Sequence, residues 1–597
     1  MHNNQANKLF DIIAFGQSTV YLQGEQSDCT LKDMISFKKY VGGTAATLAI
    51  GCARLGQRTA MGGILGNDEL GDFIANALQQ EKIDISAIKR LPHFSTPLRL
   101  GTPGSFAPPH TPVSFECEKL CDPLFISQSQ ALLIAASDLT ESHFNHACRA
   151  AVIAAKAHQN DQAPKVILVL DQWGLDQQET PGVPLLPTIL QSLLPLCDLV
   201  IAPLAHPDHL GILQAYTDAQ VIAGQVTAHG SEAFTAGFLN AWLRSLSVEQ
   251  CLAQGQTAYA LVQSRPANSA ALPSGAEMAL ALSEQKIRPA PLAHLHYATT
   301  RPASPIPFYA FSFGLDQSWQ SMAEKFLAPP NRVQQAKQLV ASGIAHLAQL
   351  AQPVLVSVCT EDNFNQHALH SHFPHAPAVI RAIEKAGSVP LQFEAGPEMN
   401  SSLCTWPKRH MIKVGITYHP DDRYVLRTEQ EAMLHQLYRA ARHAEHELLI
   451  EITPASNNLI TSSTFAHIMQ RFYDIEIYPD WWQMQTPRDQ RSWDSITRVL
   501  EDYDPHCRGV LITTPQPTLM QIETVFQFNA KQKPCQGFVL TKNFLQPYLE
   551  QWFKEEISDH HLSQCVTENL ERIIAIWEKA KHLGTQMLPQ NIIMAPA

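Results

Sequence analysis

The chain has 597 residues and a formal net charge of −12, with 45% hydrophobic and 16% charged residues. This length predicts two to four domains that each bury a core, and an acidic chain without a basic stripe argues against a nucleic-acid partner. The twelve cysteines are scattered, and neither a signal-like segment nor a long apolar run is present. We therefore expect a cytoplasmic protein without a membrane partner.

The first half of the chain alternates short apolar runs with segments of helical periodicity. A Gly42-Gly43 turn precedes the first helix, for which Thr44 is the expected N-cap. The alternation predicts a mostly parallel sheet with helices on both faces. Strands are predicted at Phe10–Phe15, Ala60–Leu65, Ala131–Ala136, Val166–Leu170 and Leu199–Ala202, and helices at Ala45–Leu55, Ser142–His158 and Leu185–Leu196.

Several short motifs of this half occur in an order typical of one enzyme family. They are Asp11–Gly16, Gly42-Gly43, Ala53–Gly56, Gly66–Asp68 with Gly71, and Ala233–Leu239. On these motifs residues 1–285 resemble the ribokinase-like (PfkB) carbohydrate kinases, and Ser36–Tyr40 is similar to the 5-dehydro-2-deoxygluconokinases of inositol catabolism. The resemblance implies a ribokinase-like α/β/α sandwich that uses ATP and Mg²⁺ to phosphorylate a sugar acid, with Gly42 and Gly43 at the substrate.

The catalytic motif of that family is altered in this chain. His229, Gly230, Ser231 and Glu232 stand where the resemblance implies Gly-Ala-Gly-Asp. Glu232 then takes the place of the general base, and Gly230 with Ser231 that of the phosphate-binding loop. A longer side chain displaces the carboxylate, and misplacement by about 1 Å can cost roughly a hundredfold in rate. The alternative is that Ser231 only caps a helix with Glu232 in its first turn.

The segment that normally binds the nucleotide is short. About 29 residues separate Ala202 from the helix near Glu232, and a parallel crossover alone needs about a dozen or more of them. Tyr21, Thr47 and Cys117 also replace residues that the resemblance implies at the sugar. ATP and Mg²⁺ are expected from the family, but binding of ATP by this chain is doubtful, and the residues themselves predict no metal site.

A proline-rich segment follows, and then a second run of alternating strands and helices. Residues 286–307 contain Pro289, Pro291, Pro302, Pro305 and Pro307, which predicts an extended linker. Eight strands with interleaved helices in residues 308–597 predict a (β/α)8 TIM-type barrel. The strands are predicted at Phe308–Phe313, Pro353–Val358, Pro390–Phe393, Met411–Ile416, Glu447–Ile452, Tyr478–Met484, Gly509–Ile512 and Gln536–Leu540.

The second half also carries recognisable motifs, at Phe393–Pro397, Thr405–Pro407, Lys413–Asp422, His446–Glu451, Tyr478–Trp482 and Asp504–Gly509. It resembles the barrel domain that is fused to many bacterial 5-dehydro-2-deoxygluconokinases and looks like a class I aldolase. Such aldolases use a lysine that attacks a ketone. The resemblance places this lysine on the sixth strand, where the chain has Gln483, and an amide cannot form an imine.

Other polar residues of the barrel remain candidates. Lys413 is either a displaced nucleophile or a polar partner in the barrel core. His419 and the two aspartates after it could bind a cation, or form the turn before a helix. Lys542 could supply positive charge to an anion site after the eighth strand. The predicted substrate-binding residues of the barrel are Glu394, His419, Glu451, Gln483 and Lys542.

Three hypotheses for function follow. The chain is a working bifunctional kinase and sugar-phosphate aldolase, or a catalytically dead paralogue that binds a sugar acid or sugar phosphate as a regulator, or a scaffold for an active paralogue. Damage at two independent sites favours the second and third. In each case we expect a small-molecule sugar ligand and a homo-oligomer.

Overall fold

A computed structural model describes the chain as two compact units, Met1–Ala303 and Ser304–Ala597. The described residues are 8–26, 30–101, 122–139, 142–157, 163–171, 188–203, 213–224, 226–266, 268–283, 289–303, 307–312, 317–329, 331–350, 355–361, 378–385, 387–394, 396, 402–454, 460–514 and 518–585. Only the backbone is described at 142–143, 289–290, 317–318, 348–350, 355–361, 378, 542–543 and 583–585.

The first unit is built on a parallel sheet of seven strands in the order β10-β9-β8-β7-β1-β4-β5. Its strands are β1 Phe10–Phe15, β4 Thr59–Gly66, β5 Asp84–Leu91, β7 Ser129–Ala135, β8 Lys165–Val169, β9 Leu199–Ala202 and β10 Gln220–Ala223. The five strands predicted from sequence are among them, because buried parallel strands read as short continuous apolar runs.

Helices cover both faces of this sheet. They are α1 Thr44–Arg54, α2 Glu69–Gln80, α3 Pro123–Ser127, α4 Ser142–Lys156, α5 Thr188–Leu193, α6 Ser231–Trp242, α7 Val248–Val262 and α8 Gly275–Leu282. Alternate residues of β1 enter two different cores: Ile12 packs with α1 and α6 on one face, and Ile13 packs with α4 on the other. The result is the predicted ribokinase-like α/β/α sandwich. Thr44 is the first residue of α1, not its N-cap, since Gly43 holds that position.

A small sheet of three strands, in the order β3-β2-β6, accompanies the large one. β2 Thr19–Gly24 pairs antiparallel with β3 Phe37–Gly42 and parallel with β6 Leu98–Gly101. Because β2 leaves the carboxyl end of β1 and β3 leads into α1, this small sheet is tied to the carboxyl edge of the large sheet.

The expected extended linker was wrong over most of its length. Residues Pro289–Thr300 form a helix, α9. Thr299 donates a hydrogen bond to the hydroxyl of Ser274, and His296 bonds to the carboxylate of Glu277 and the carbonyl of Ala270. Proline is tolerated in the first turn of a helix, where its missing N–H has no helical partner, so prolines at this position did not exclude a helix.

The second unit is a closed barrel of eight parallel strands. They are β11 Phe308–Ser312, β12 Leu355–Glu361, β13 Ala378–Ala382, β14 His410–Thr417, β15 Leu448–Thr453, β16 Trp481–Gln485, β17 Gly509–Thr514 and β18 Cys535–Leu540. The helices are α10 Gln317–Lys325, α11 Asn331–Leu350, α12 Tyr424–Ala444, α13 Thr464–Asp474, α14 Gln490–Tyr503, α15 Leu519–Asn529, α16 Gln546–Phe553 and α17 Asp559–Thr585. β18 closes the barrel by pairing with β11.

Seven of the eight predicted barrel strands lie within a few residues of the observed ones, and the third was wrong. The segment Pro390–Phe393 contributes an isolated bridge between Glu384 and Phe393, and the third strand is β13. Proline cannot donate to a sheet ladder, which disfavours a central strand there. The barrel interior is filled by an apolar floor of Phe308, Ala310, Ile380, Met411, Leu449, Trp481, Leu511 and Val539.

Within the described part of the chain, every helix is too short or too polar to cross a membrane.

Candidate functional sites in the two units

The first unit gathers polar side chains at the carboxyl edge of its sheet. β1 lies between β4 and β7. The strands β4 and β5 are added on one side of β1, and the later strands β7 to β10 are added on the other side. Open α/β sheets bind ligands at such a switch point, where the two directions leave a crevice. Residues that directly follow β1, β7 and β8 meet here, and so do the first residues of α1 and α6.

Asp171, which follows β8, organises this crevice. Its carboxylate accepts a hydrogen bond from the hydroxyl of Thr44 at 2.6 Å and from the backbone N–H of Ser137 at 3.0 Å. The Ser137 hydroxyl also lies 3.4 Å from that of Thr44. Burial raises the pKa of Asp171, and the hydrogen bonds oppose the increase. The arrangement is an array of hydroxyls and a carboxylate, which suits a hydroxylated ligand.

Glu232, the predicted base, lies in the first turn of α6 next to this array. Burial raises its pKa, and the negative charge of Asp171 raises it further. The carboxylate accepts a hydrogen bond from the Ser231 hydroxyl at 3.0 Å. In the described residues neither Glu232 nor Asp171 pairs with a lysine or an arginine. The described part of the crevice thus brings two carboxyl groups together without a basic partner.

Two glycines of the predicted site allow a close approach of backbone segments. Gly43 has φ +92°, and a Cβ built there would lie 2.4 Å from the carbonyl oxygen of Gln17. A Cβ on Gly42 would lie 2.8 Å from the Thr19 hydroxyl. The turn before α1 thus packs directly on the chain that leaves β1, and this packing fixes Thr44 at the crevice.

The predicted phosphate loop is differently arranged. Gly230 is the N-cap of α6, with φ +103°, and a Cβ there would lie 2.8 to 3.0 Å from atoms of Tyr259, Gln263 and Val262. The Ser231 hydroxyl bonds to Ala228 and Glu232 and caps no helical N–H.

The described residues at the start of α6 do not fit a nucleotide phosphate. A helix N-terminus binds an anion through free N–H groups. The N–H of Ser231 donates to the Ala228 carbonyl, and the carboxylate of Glu232 lies in the same first turn. A negative side chain at this helix start opposes the binding of a second anion. In the described segments, no three histidine, cysteine or acidic side chains are grouped to hold a metal ion.

In the barrel, a layer of polar side chains lies directly above the apolar floor. Lys413 on β14 forms an ion pair with Glu451 on β15, with 2.6 Å between nitrogen and oxygen. The amide of Gln483 on β16 donates to the other Glu451 oxygen at 2.8 Å and to the Thr513 hydroxyl on β17 at 3.0 Å. Four adjacent strands thus contribute one continuous network at the carboxyl end of the barrel, where such folds have their active sites.

Glu384, which follows β13, completes this layer. Its Oε1 atom would lie 2.9 Å from a Cβ built on Gly415, and Oε2 of Glu451 would lie 3.8 Å from the same point. Burial raises the pKa of Glu384, the charge of Lys413 lowers it, and that of Glu451 raises it again. Two carboxylates thus lie beside the backbone of Gly415, and the Glu384 carboxylate fills the position that a side chain at residue 415 would take.

The other predicted barrel residues are distributed differently. Glu394 has an exposed side chain beyond the Phe393 bridge. His419 is buried in a turn: its N–H donates to Asp422 and its Nδ1 accepts from the N–H of Asp421. This geometry matches the turn that was the alternative to a cation site. Lys542 begins a short 3-10 turn after β18, and its side chain lies outside the described part.

Sequence reasoning missed Asp171 and Ser137 in the first unit and Glu384 and Thr513 in the barrel. Asp171 could have been found, since it directly follows a correctly predicted parallel strand and such positions meet at the ligand-binding edge. Glu384 could not, because the third barrel strand had been placed about ten residues too late.

Comparison with known proteins gives the family. Residues 278–581, more than half of the 597-residue chain, match a family described as "Uncharacterized protein conserved in bacteria (DUF2090)". The chain belongs to this family. The matched residues include the whole barrel from β11 to β18 and also α9, which clusters with the first unit.

The start of the chain matches a second family. Residues 10–105 match the pfkB family carbohydrate kinases. The chain is 40% identical over 83 residues to a 5-dehydro-2-deoxygluconokinase of Mesomycoplasma hyopneumoniae, a match that covers 14% of this chain and 25% of that enzyme. The chain thus spans about a quarter of the length of this relative. Over 313 residues it is 24% identical to the enzyme of the same name from Lacticaseibacillus casei, covering 44% of this chain and 93% of that one.

Solved structures of similar fold include a PfkB protein from Polaromonas sp. JS666, with 18% identity and a TM-score of 0.37, covering 45% of this chain and 99% of that chain. A putative ribokinase II from E. coli, solved with ATP and Mg²⁺, has 16% identity and a TM-score of 0.39, covering 46% of this chain and 100% of that chain.

Proposed function

We propose that the first unit binds a polyhydroxylated sugar in the crevice between β1 and β7. The observation that carries this proposal is the array of Thr44, Ser137, Asp171 and Glu232, which offers hydroxyls and carboxylates in one small volume. Carboxylates that accept hydrogen bonds are strong partners for sugar hydroxyls. The match to carbohydrate kinases in residues 10–105 supports the same ligand class.

The charge of the crevice favours a neutral sugar over a sugar acid or sugar phosphate. The carboxyl groups of Asp171 and Glu232 are both buried, and a negatively charged group on the ligand would be repelled by them. A ligand that brings its own carboxylate would meet this repulsion without a described basic residue to offset it. The proposal therefore departs from the acidic substrate that the resemblance alone would imply.

A second candidate function is phosphoryl transfer to that sugar. It is favoured by Glu232, a carboxylate with a raised pKa at the start of α6, since a general base works best with a pKa near the operating pH. The carboxylate at the same helix start and the hydrogen-bonded N–H of Ser231 argue against it, because both disfavour a bound phosphate there. Binding without efficient transfer is the function that the described geometry supports better.

Calorimetric titration of the full chain tests both candidates. D-fructose serves as the neutral probe and 5-dehydro-2-deoxygluconate as the acidic one, and release of ADP from MgATP is followed in parallel. We expect heat from the neutral sugar and no ADP above background. Asp171→Asn and Thr44→Val should each weaken binding roughly tenfold or more, since a hydrogen bond to a charged group contributes about 1.5–3 kcal/mol.

Thr257→Val is the matched control, because among the described residues that hydroxyl bonds only to the Ala253 carbonyl of its own helix. Binding of the acidic probe alone would overturn the charge argument. Sugar-dependent ADP release that is lost in Glu232→Gln would establish the kinase instead. Unchanged affinity in Asp171→Asn would show that the sugar binds elsewhere.

A further inference from the structure

The barrel mouth contains a set of groups that the sugar-binding proposal does not use. Glu384 and Glu451 lie together beside the backbone of Gly415, and Lys413 interacts electrostatically with both. Below these three side chains lies the apolar floor, which includes Trp481. A small polar molecule that enters from the carboxyl end of the barrel would therefore meet a cation and two carboxylates at once.

The ion pair determines what Lys413 can do. Its ammonium group lies 2.6 Å from Glu451, whose other oxygen is held by the amide of Gln483. A lysine held in this way is a cationic hydrogen-bond donor that carries three N–H bonds. It is a poor nucleophile, because imine formation needs the neutral amine.

Glu384 differs from Glu451 in its partners. No hydrogen bond from a lysine or arginine reaches its carboxylate in the described residues, whereas the ion pair holds Glu451. Oε2 accepts a hydrogen bond from the backbone N–H of Ile383 at 3.2 Å, and Oε1 lies against Gly415. The Glu384 carboxylate thus belongs to the polar layer of the barrel but is not held there by a cation in the way that Lys413 holds Glu451.

We propose that the barrel enolises a small α-hydroxy carbonyl compound, with Glu384 as the base and Lys413 as the cation that receives the carbonyl oxygen. The carboxylate of Glu384 removes the proton from the carbon next to the carbonyl group. The electron pair of the broken C–H bond forms the C=C bond, and the carbonyl π electrons move to the oxygen, where the Lys413 ammonium stabilises the charge.

The reaction closes without a further reagent. The protonated Glu384 first exchanges its proton with solvent. Returning a solvent proton to the same carbon gives isotope exchange. Returning it to the former carbonyl carbon gives an isomer, once the hydroxyl proton has moved to the former carbonyl oxygen. Glu451 keeps Lys413 in place, and Gln483 keeps Glu451 in place. Both are positioning residues. A glutamine on β16 fits this chemistry, whereas an imine mechanism would need a lysine there.

The ionisation of Glu384 sets the expected pH dependence. The groups that act on it are Lys413 on β14, which lowers its pKa, and Glu451 on β15, which raises it, in addition to burial, which raises it most. Only the ionised carboxylate accepts a proton, so the rate should rise as the pH increases through this raised pKa and level off above it.

Deuterium exchange into dihydroxyacetone and dihydroxyacetone phosphate tests the proposal with the full chain in D2O. Loss of the C–H signal is followed by proton NMR, without ATP, so that the outcome is independent of sugar binding in the first unit. We expect exchange above the buffer rate and a loss of about a hundredfold or more in Glu384→Gln, as for removal of a general base. Gly415→Ala should also abolish exchange, because its methyl group would lie 2.9 Å from the Glu384 oxygen and displace the base.

Glu501→Gln is the matched control for removing one carboxylate, since Glu501 pairs with Lys533 on the surface. Tryptophan fluorescence verifies that each variant is folded. A pH profile that is sigmoidal for the parent and flat for the residual rate of Glu384→Gln would separate a base from a structural role. Absence of exchange by the parent, full exchange by folded Glu384→Gln, or a borohydride-trapped adduct on Lys413 would each overturn the proposal.

Discussion

Two lysines of the barrel unit allow a sharp test of how burial determines the strength of an ion pair. Lys413 and Lys408 each lie 2.6 Å from a glutamate oxygen, of Glu451 and Glu445 respectively. The side chains of the first pair are only 12% and 23% exposed, whereas those of the second are 62% and 46% exposed. Distance is therefore matched, and solvent access differs.

Lys413→Met should lower the free energy of unfolding much more than Lys408→Met. Breaking a buried pair costs about 3–5 kcal/mol, because a charge stays behind without a partner. Some solvent reaches Glu451, so we expect about 2–3 kcal/mol for Lys413→Met. An exposed pair contributes about 0–1 kcal/mol, and Lys408→Met should fall in that range.

The loss in Lys413→Met should also depend on pH. Without the lysine, Glu384 loses the charge that lowers its pKa and keeps the burial that raises it. A carboxyl group with a raised pKa in the folded state favours folding at low pH and opposes it as the pH rises through that value. The destabilisation should therefore be larger at pH 8 than at pH 5. The double variant Lys413→Met with Glu451→Gln should recover part of the stability, because it removes the unpaired charge.

Guanidinium unfolding followed by tryptophan fluorescence is the suitable assay. Seven of the nine tryptophans lie in the second unit, so the signal reports mainly on the barrel. The two units need not unfold together, and the barrel transition is therefore fitted separately. Equal losses in Lys413→Met and Lys408→Met, or a loss in Lys413→Met that does not change with pH, would refute the reasoning.

Two further predictions concern the first unit. Gly43→Ala should destabilise the first unit more than Gly56→Ala. Both glycines have φ +92°, which costs an L-residue about 1–2 kcal/mol, but of these two positions only 43 would also place a Cβ 2.4 Å from a carbonyl oxygen. Equal melting temperatures of the two variants in calorimetry would contradict this. Glu277 is fully buried, and burial raises its pKa. The hydrogen bonds from His296 and Ser274 and the charges of His296 and Arg265 together outweigh burial and lower the pKa below its usual value. The ionised Glu277 stabilises the fold above the normal glutamate pKa, and this stabilisation is lost as the pH falls through the lowered value. The melting temperature of the parent should therefore fall faster between pH 5 and 3 than that of Glu277→Gln. Equal slopes for the two proteins would contradict this prediction.

The fold was largely predictable because apolar patterns repeat at the period of each element. Continuous apolar runs such as Phe10–Phe15 and Leu199–Ala202 coincide with β1 and β9. The helix around Ala45 also begins within one residue of its predicted start. The third barrel strand was missed because β13 carries Arg381 in its middle, and this arginine is buried against Trp406. A charged residue covered by an aromatic ring gives no apolar signal.

Composition and local pattern by themselves determined that this chain makes a sandwich followed by a barrel, since the burial periodicity of each strand and helix is a property of consecutive residues. They also showed that Glu232 and Gln483 replace residues that the resemblance implies. Only the tertiary structure decided which side chains meet. Asp171 reaches Thr44 across 127 positions, and Gln483 reaches Glu451 across 32. Such contacts depend on strand order and barrel closure, which place distant residues at one edge, and no local pattern encodes that distance.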